Sequence, residues 1–220
     1  MFKLIKLEVK KYKMKSYLKA LLIAIIIINL VMLQVIAEGN KSTLNTYVLG
    51  ETLVQGVFMI FSSVLISNII VGEYNSKTIN LMFMYPIKRK NIILSKLFLI
   101  SLFIFIAMII GNISLYLNYY IFHMVTKVSL PMISLSGLFW IVLDSLVFTI
   151  LSLFPVYIGV KYKKTQLTIV SGIILTSLLN SDIQGFNLAS IKIISIMLTL
   201  ISLLFIVLAI RVFENEDFVS

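Results

Sequence analysis

Residues Gly72–Lys96, which read GEYNSKTINLMFMYPIKRKNIILSK, form the longest stretch of mixed polar and apolar residues in the sequence. Long apolar segments flank this stretch, roughly Leu53–Gly72 before it and Leu97–Phe122 after it. A helix that crosses a lipid bilayer needs about 20 mostly apolar residues. The stretch is therefore predicted to be a loop that joins two membrane-spanning helices.

The composition places the whole chain in lipid. Of its 220 residues, 60% are hydrophobic and 13% are charged, and the mean hydropathy is +1.07. Soluble domains carry about 25% charged residues. The absence of cysteine and the presence of one histidine, His123, exclude disulfides, thiolate sites and multi-histidine metal sites. The net charge of +10 is more typical of basic loops facing anionic lipid than of nucleic-acid binding here.

The apolar runs predict an all-α integral membrane protein with a single transmembrane domain over residues 1–220. The six candidate spans are roughly Leu18–Ala37, Leu53–Gly72, Leu97–Phe122, Met132–Tyr157, Leu167–Asn180 and Ile191–Ile210. The fifth is short, and the polar run Ser181–Ser190 separates it from the sixth. Non-helical backbone at membrane depth must be shielded by protein or by a cavity. We therefore predict a re-entrant or interfacial segment between the last two spans.

Lysine and arginine positions predict the orientation, because cytoplasmic loops are rich in both residues. One side of the predicted membrane holds Lys3, Lys6, Lys10, Lys11, Lys13, Lys15, Lys19, Lys77, Lys88, Arg89, Lys90, Lys96, Lys161, Lys163, Lys164 and Arg211. The other side holds only Lys41, Lys127 and Lys192. Both termini are therefore predicted to be cytoplasmic.

The N-terminal arm, residues 1–17, has the spacing of an amphipathic helix. Its apolar stripe is Phe2, Ile5, Val9 and Tyr12, beside a basic stripe of Lys3, Lys6, Lys10 and Lys13. Such a helix can lie in the head-group layer and brace the cytoplasmic face, although a plain topology anchor fits the same pattern. The sequence VIA ending at Ala37 resembles a signal-peptide cleavage site, but the long apolar run favours a retained first span.

The loop after the second span has its own helical pattern. Residues Glu73 to Tyr85 are predicted to form a short helix, with Glu73 and Lys77 four residues apart in the favourable order. The apolar face of this helix is Ile79, Met82 and Phe83. Pro86 cannot continue the helix. From these residues alone, the segment could equally be an interfacial loop without a partner.

The order of residues in this loop resembles the type-2 ABC permease (ABC-2) family. In that family a pattern E-x(3)-K/G-T-I/L-x-L-x(4)-P-I/V-x-R-x(2)-I-x(2)-S/G-K joins the second and third spans. The matching positions are Glu73, Lys77, Thr78, Ile79, Leu81, Pro86, Ile87, Arg89, Ile92, Ser95 and Lys96, and Tyr74 fits the common aromatic residue after the glutamate. The six-span layout, the entry helix and the break before the last span resemble that family as well.

The resemblance implies a permease subunit of an ATP-driven exporter. The loop 73–90 would be the coupling helix, docking on a cytoplasmic ATP-binding subunit through Glu73, Tyr74, Lys77, Thr78, Ile79, Leu81, Met82, Phe83, Pro86 and Arg89. Two copies of that subunit would hold ATP and Mg, and a second permease subunit would complete a homo- or heterodimer. Short members of the family suggest export of an amphipathic or antimicrobial peptide, or of a hydrophobic toxin, across a bacterial cytoplasmic membrane.

The sequence lacks the motifs that would make the chain an enzyme. No G-x-x-x-x-G-K-[ST], H-E-x-x-H or G-x-S-x-G occurs, so no catalytic, cofactor or metal residue is predicted and ATP hydrolysis is expected in a partner. The alternatives are a lipid or multidrug exporter subunit and a nucleotide-independent immunity or scaffold protein. A vitamin or metal importer would use a short motif around Ala-Arg-Gly, which is absent here.

Polar residues inside the predicted spans are further candidates. Asp144 lies in the middle of the fourth span, where an acid is costly and marks a functional-site hypothesis. It could be hydrogen-bonded within the bundle, line the substrate path or affect subunit pairing. Single asparagines, Asn29, Asn68, Asn112 and Asn118, are expected to form interhelical hydrogen bonds, with a place along the substrate path as the other reading.

Overall fold

The computed structural model describes residues 8–12, 14–37, 43–75, 89–126, 135–183, 186–187 and 192–215. The first three long helical segments are α1 (Met14–Ala37), α2 (Thr43–Ile66) and α4 (Arg89–Thr126). Between the last two lie a π-helix (Ser67–Val71) and the single turn α3 (Gly72–Asn75). The C-terminal half contains α5 (Leu135–Leu151), α6 (Pro155–Tyr162), α7 (Thr165–Asn180) and α8 (Lys192–Asn215).

The described helices confirm an all-α membrane protein. Five segments are long and apolar enough to cross a membrane: Met14–Ala37, Val48–Asn75, Lys90–Met124, Gly137–Tyr162 and Ile194–Glu214. The sixth apolar helix, α7, has only 16 residues. At 1.5 Å per residue it is about 24 Å long, shorter than a hydrocarbon core of about 30 Å. The sequence therefore located the spans correctly and identified the short one.

The fourth span is broken at Pro155. The helix α5 ends at Leu151, three residues form a turn, and Pro155 begins α6. A proline is favoured in the first helical turn, because it has no N–H to donate. The helix α6 ends where Lys163 adopts a left-handed conformation with φ of 52° and donates its backbone N–H to the Gly159 carbonyl at 2.9 Å.

Small residues bring α2 and α7 into close contact. A Cβ atom added at Gly172 would lie 2.4 Å from the Cβ of Ser63, and one added at Gly56 would lie 2.9 Å from the Asn180 Nδ2. Helices in lipid associate through such close backbone approaches, because the lipid supplies no hydrophobic drive for their association. The short helix α7 is therefore held against the long second span.

A minimal hairpin occupies part of the interruption between α7 and α8. The strands β1 (Asp182–Ile183) and β2 (Phe186–Asn187) are antiparallel, with Asp182 opposite Asn187 and Ile183 opposite Phe186. The chain thus leaves helical structure where the polar run predicts it. A re-entrant position of this segment within the membrane stays a prediction.

Candidate functional site

A buried set of charged and aromatic side chains lies where the second span ends and the third begins. The Lys96 ammonium pairs with the Glu73 Oε2, and the Lys11 ammonium donates to the Glu73 Oε1 at 2.6 Å. The Tyr12 hydroxyl donates to the same Oε1. Glu8 approaches from the N-terminal arm, with its Oε1 3.8 Å from the Lys96 Nζ. These five residues, Glu8, Lys11, Tyr12, Glu73 and Lys96, are called the junction cluster.

Three members of the junction cluster are almost closed to solvent. Glu8, Glu73 and Lys96 are 6%, 4% and 2% exposed. Charges buried to this degree must be paired, because their desolvation is costly. The Tyr12 ring adds a cation–π contact to each lysine, at 5.4 Å from the Lys11 Nζ and 5.7 Å from the Lys96 Nζ. The two acids and two lysines therefore hold one another in a fixed arrangement.

The π-helix contributes a backbone acceptor to the cluster. The Ile69 carbonyl accepts a hydrogen bond from the Lys96 Nζ at 3.2 Å, and the Tyr12 hydroxyl oxygen lies 3.0 Å from it. At the end of the π-helix, the Gly72 N–H donates to the Ser67 carbonyl, five residues earlier in the chain. A π-helix shifts the normal pattern of carbonyl partners and is frequent at functional sites. Here it supports the lysine that binds Glu73.

The cluster joins three separate segments of the chain. Glu73 lies in α3 at the end of the second span, Lys96 lies in the second turn of α4, and the other three residues belong to the arm. Residues 76–88 connect α3 to α4 and lie outside the described residues. The cluster thus ties the entry and exit of this loop to each other and to the arm that leads into the first span.

Burial in the junction cluster shifts the pKa values of two arm residues, Glu8 and Tyr12. Burial raises the pKa of the Glu8 carboxyl, and the nearby Lys96 ammonium opposes that shift. Burial and the hydrogen bond to the Glu73 carboxylate raise the pKa of the Tyr12 hydroxyl far above its ordinary value. The Tyr12 hydroxyl therefore stays protonated and donates a hydrogen bond to Glu73 at any physiological pH.

Most of the residues predicted to couple to an ATPase lie outside the part of the chain that the structure describes. Lys77, Thr78, Ile79, Leu81, Met82, Phe83 and Pro86 lie outside the described residues, and Arg89 begins α4. Tyr74 packs edge-on against Phe213 at 5.9 Å, and the Lys163 Nζ lies 5.7 Å from its ring. Glu73 is buried, and its described contacts are to Lys11, Tyr12 and Lys96.

Sequence reasoning missed the role of the arm in this site. It paired Glu73 with Lys77 by helical spacing and placed Val9 with Tyr12 on one apolar face. In the structure Val9 is 44% exposed, whereas Glu8 faces inward with Tyr12, four residues later. The available signal was that Glu8 is the only acid among the arm lysines. Its burial is offset by Lys96, which lies 88 residues further along the chain.

Two of the four asparagines form the interhelical hydrogen bonds expected of them. The Asn29 Nδ2 donates to the Ser114 Oγ at 2.9 Å, and the Asn118 Nδ2 donates to the Asn29 carbonyl at 3.0 Å, which links α1 to α4. Asn112 is 6% exposed, and its Oδ1 has no hydrogen-bond partner within the described part of the chain. Asn68 is exposed. The expectation of interhelical bonding stays a prediction for these two residues.

Asp144 lines a cavity of about 370 Å³ between α2, α5 and α8. Its other polar lining residues are Glu51, Thr52, Gln55 and Ser195, and Trp140 contributes an aromatic face. A structural role, a place along a substrate path and an effect on subunit pairing all stay predictions for Asp144. Over the residues that the structure describes, no group of three His, Cys, Asp or Glu side chains could hold a metal ion.

Comparison with known proteins gives two matches of different kinds. Residues 4–182 match the protein family described as ABC-2 family transporter protein. A Bacillus subtilis (strain 168) protein, described as uncharacterized protein YcbO, is 30% identical over 230 residues. That alignment covers 97% of this chain and 99% of the relative. No solved structure matches the chain.

Proposed function

The chain belongs to the ABC-2 family of transporter proteins, and from that membership we propose that it exports an amphipathic or antimicrobial peptide, or a hydrophobic toxin. Family and helices make it a multi-pass membrane permease subunit of an ABC transporter. Such a subunit works with an ATPase partner. We propose two ATPase copies, a second permease subunit in a homo- or heterodimer, and a bacterial cytoplasmic membrane with both termini inside.

The observation that carries the coupling proposal is the junction cluster at the base of the loop 73–90. The loop docks on the ATPase subunit, which binds ATP and Mg and supplies the energy. Because Glu73 and Lys96 pair directly, the two ends of the loop move together. Lys11 and Tyr12 extend that connection to the arm and the first span. A displacement of the loop therefore reaches three spans at once.

Co-purification tests whether the loop docks on an ATPase. The double substitution Ile79→Asp and Phe83→Asp places two charges on the apolar face that the sequence assigns to the loop helix. We expect the wild-type chain to retain its ATPase partner and this variant to lose it. Arg211→Asp is the control, since Arg211 is exposed and lies outside the loop 73–90. Membrane insertion of each variant is measured separately.

Each outcome has a distinct meaning. Loss in the loop variant but not in the control supports the coupling helix. Retention by the loop variant contradicts docking through this face. If even the wild-type chain retains no ATPase, the proposed exporter has no energy source, and a nucleotide-independent immunity or scaffold protein becomes the better account. Where the wild-type chain does retain its ATPase, transport of a cationic amphipathic peptide into proteoliposomes tests the proposed substrate class. Lipid and multidrug substrates are compared in the same assay.

A further inference from the structure

We propose that the concave surface between the N-terminal arm and the first turns of α1 binds the head group of an anionic phospholipid. This surface, called the arm pocket, encloses about 550 Å³ and is lined by Val9, Lys10, Tyr12, Met14, Lys15, Ser16 and Lys19. The proposed site is distinct from the loop that docks on the ATPase, and it does not depend on transport.

The arm pocket carries three positive charges and no acidic lining residue. The side chains of Lys10, Lys15 and Lys19 are all exposed. Lys15 and Lys19 are four residues apart and thus lie on one face of α1. Lys11, in contrast, points to Glu73 and takes part in the junction cluster. The arm therefore uses one described lysine for internal pairing and presents others to an external anion.

The pocket lies at the depth of the lipid head groups. The helix α1 has 24 residues and is about 36 Å long, which exceeds a hydrocarbon core of about 30 Å. Residues 20–37 contain no charged side chain, so Lys19 is the last charge before the apolar part of the span. Lysines at such a boundary extend their ammonium groups toward the lipid phosphates.

An apolar stripe continues from the pocket into the membrane. Leu22, Ile26 and Leu30 follow Lys15 and Lys19 at helical spacing and are 56%, 58% and 58% exposed. A phospholipid with its phosphate at the lysines can lay an acyl chain along this stripe, whereas a free phosphate ion cannot use it. The combination of a basic pocket and an adjoining apolar stripe indicates a lipid as the occupant.

Native mass spectrometry of the detergent-purified chain tests the site with phosphatidylglycerol and phosphatidylcholine as probes. A lysine near an anionic lipid surface contributes about fivefold in affinity, so the triple substitution Lys10→Gln, Lys15→Gln and Lys19→Gln is expected to weaken phosphatidylglycerol binding by about a hundredfold. Phosphatidylcholine binding should be unchanged. The control Lys90→Gln, Lys161→Gln and Lys164→Gln removes the same charge from other exposed lysines and should retain binding.

Three results would overturn the proposal: equal binding of the two lipids by the wild-type chain, equal losses in both triple variants, or displacement by inorganic phosphate as effectively as by phosphatidylglycerol. The pair Leu22→Ala and Ile26→Ala examines the apolar stripe without adding polar groups to the span. We expect it to weaken phosphatidylglycerol binding severalfold. An unchanged affinity would contradict the acyl-chain contact.

Discussion

At the scale of single residues, Lys96 is the most buried of the charged residues that the structure describes. It is 2% exposed, and it contacts Glu73, Glu8, the Tyr12 ring and the Ile69 carbonyl. Replacing both partners of a buried ion pair by apolar residues is often tolerated, but removing one partner leaves a buried charge without compensation. Lys96 is thus the last position of the loop pattern that resembles the ABC-2 family, and it is also a residue on which the stability of the fold depends.

Replacing Lys96 alone should destabilise the protein strongly. The substitution Lys96→Met leaves Glu73 and Glu8 close together without their buried cation, which should lower the free energy of unfolding by about 3–5 kcal/mol. Lys11→Met is the matched control, because the Lys11 side chain is 43% exposed and its pair with Glu73 should contribute less than about 1 kcal/mol. Thermal and chemical unfolding in detergent measure both. Equal losses of unfolding free energy in the two variants would show that Lys96 is not the centre of the cluster.

The Glu8 carboxyl should make stability depend on pH. Because burial raises its pKa above the ordinary 4.5, the folded protein keeps a proton on Glu8 at pH values where the unfolded chain has lost it. The free energy of unfolding should therefore fall as the pH rises through this window. The substitution Glu8→Gln removes that contribution. The difference in unfolding free energy between wild type and variant, measured from pH 4 upward in roughly half-unit steps, isolates the contribution of Glu8. A difference that does not change with pH would contradict the raised pKa of Glu8.

At the scale of elements, the contact between α2 and α7 explains how a short helix remains in the bundle. Sequence length alone makes α7 a weak span, since its 16 residues do not fill a bilayer of ordinary thickness. Its position depends instead on Gly172 and Thr176, which face Ser63 and Gly56. The Ser67 hydroxyl adds a hydrogen bond to the Thr165 carbonyl at 3.3 Å.

A single methyl group at Gly172 should separate these helices. In Gly172→Ala the new Cβ would meet the Ser63 Cβ at 2.4 Å, so we expect a loss of about 1–3 kcal/mol in unfolding free energy. The control is Gly72→Ala, whose nearest atom is the Ser67 carbonyl oxygen at 3.5 Å and whose backbone is helical. That change should be neutral or slightly stabilising. Partial recovery in Gly172→Ala combined with Ser63→Gly would identify the contact; no recovery would contradict it.

At the scale of the whole molecule, the sequence predicted the parts that depend on local patterns. Apolar runs located the spans, and the polar run before Ile191 predicted the interruption of helix. The junction cluster could not be predicted because its members are distant in sequence: the first two spans lie between Glu8 and Lys96. Local spacing suggested Lys77 as a partner of Glu73, and this pairing stays a prediction because Lys77 lies outside the described residues. Long-range pairing of buried charges follows from packing, which periodicity does not encode.

The whole-molecule role of the junction cluster is separable from docking. The double substitution Glu73→Met and Lys96→Met removes both charges of the central pair, so the fold should survive better than in Lys96→Met. We expect this variant to retain the ATPase partner, because the predicted apolar face of Ile79, Met82 and Phe83 is unchanged. We expect it to lose transport in proteoliposomes, because α3 is no longer tied to α4. The loop variant Ile79→Asp and Phe83→Asp should lose both. If the double methionine variant transports normally, force does not pass through the cluster; if it loses the ATPase, the cluster shapes the docking surface instead.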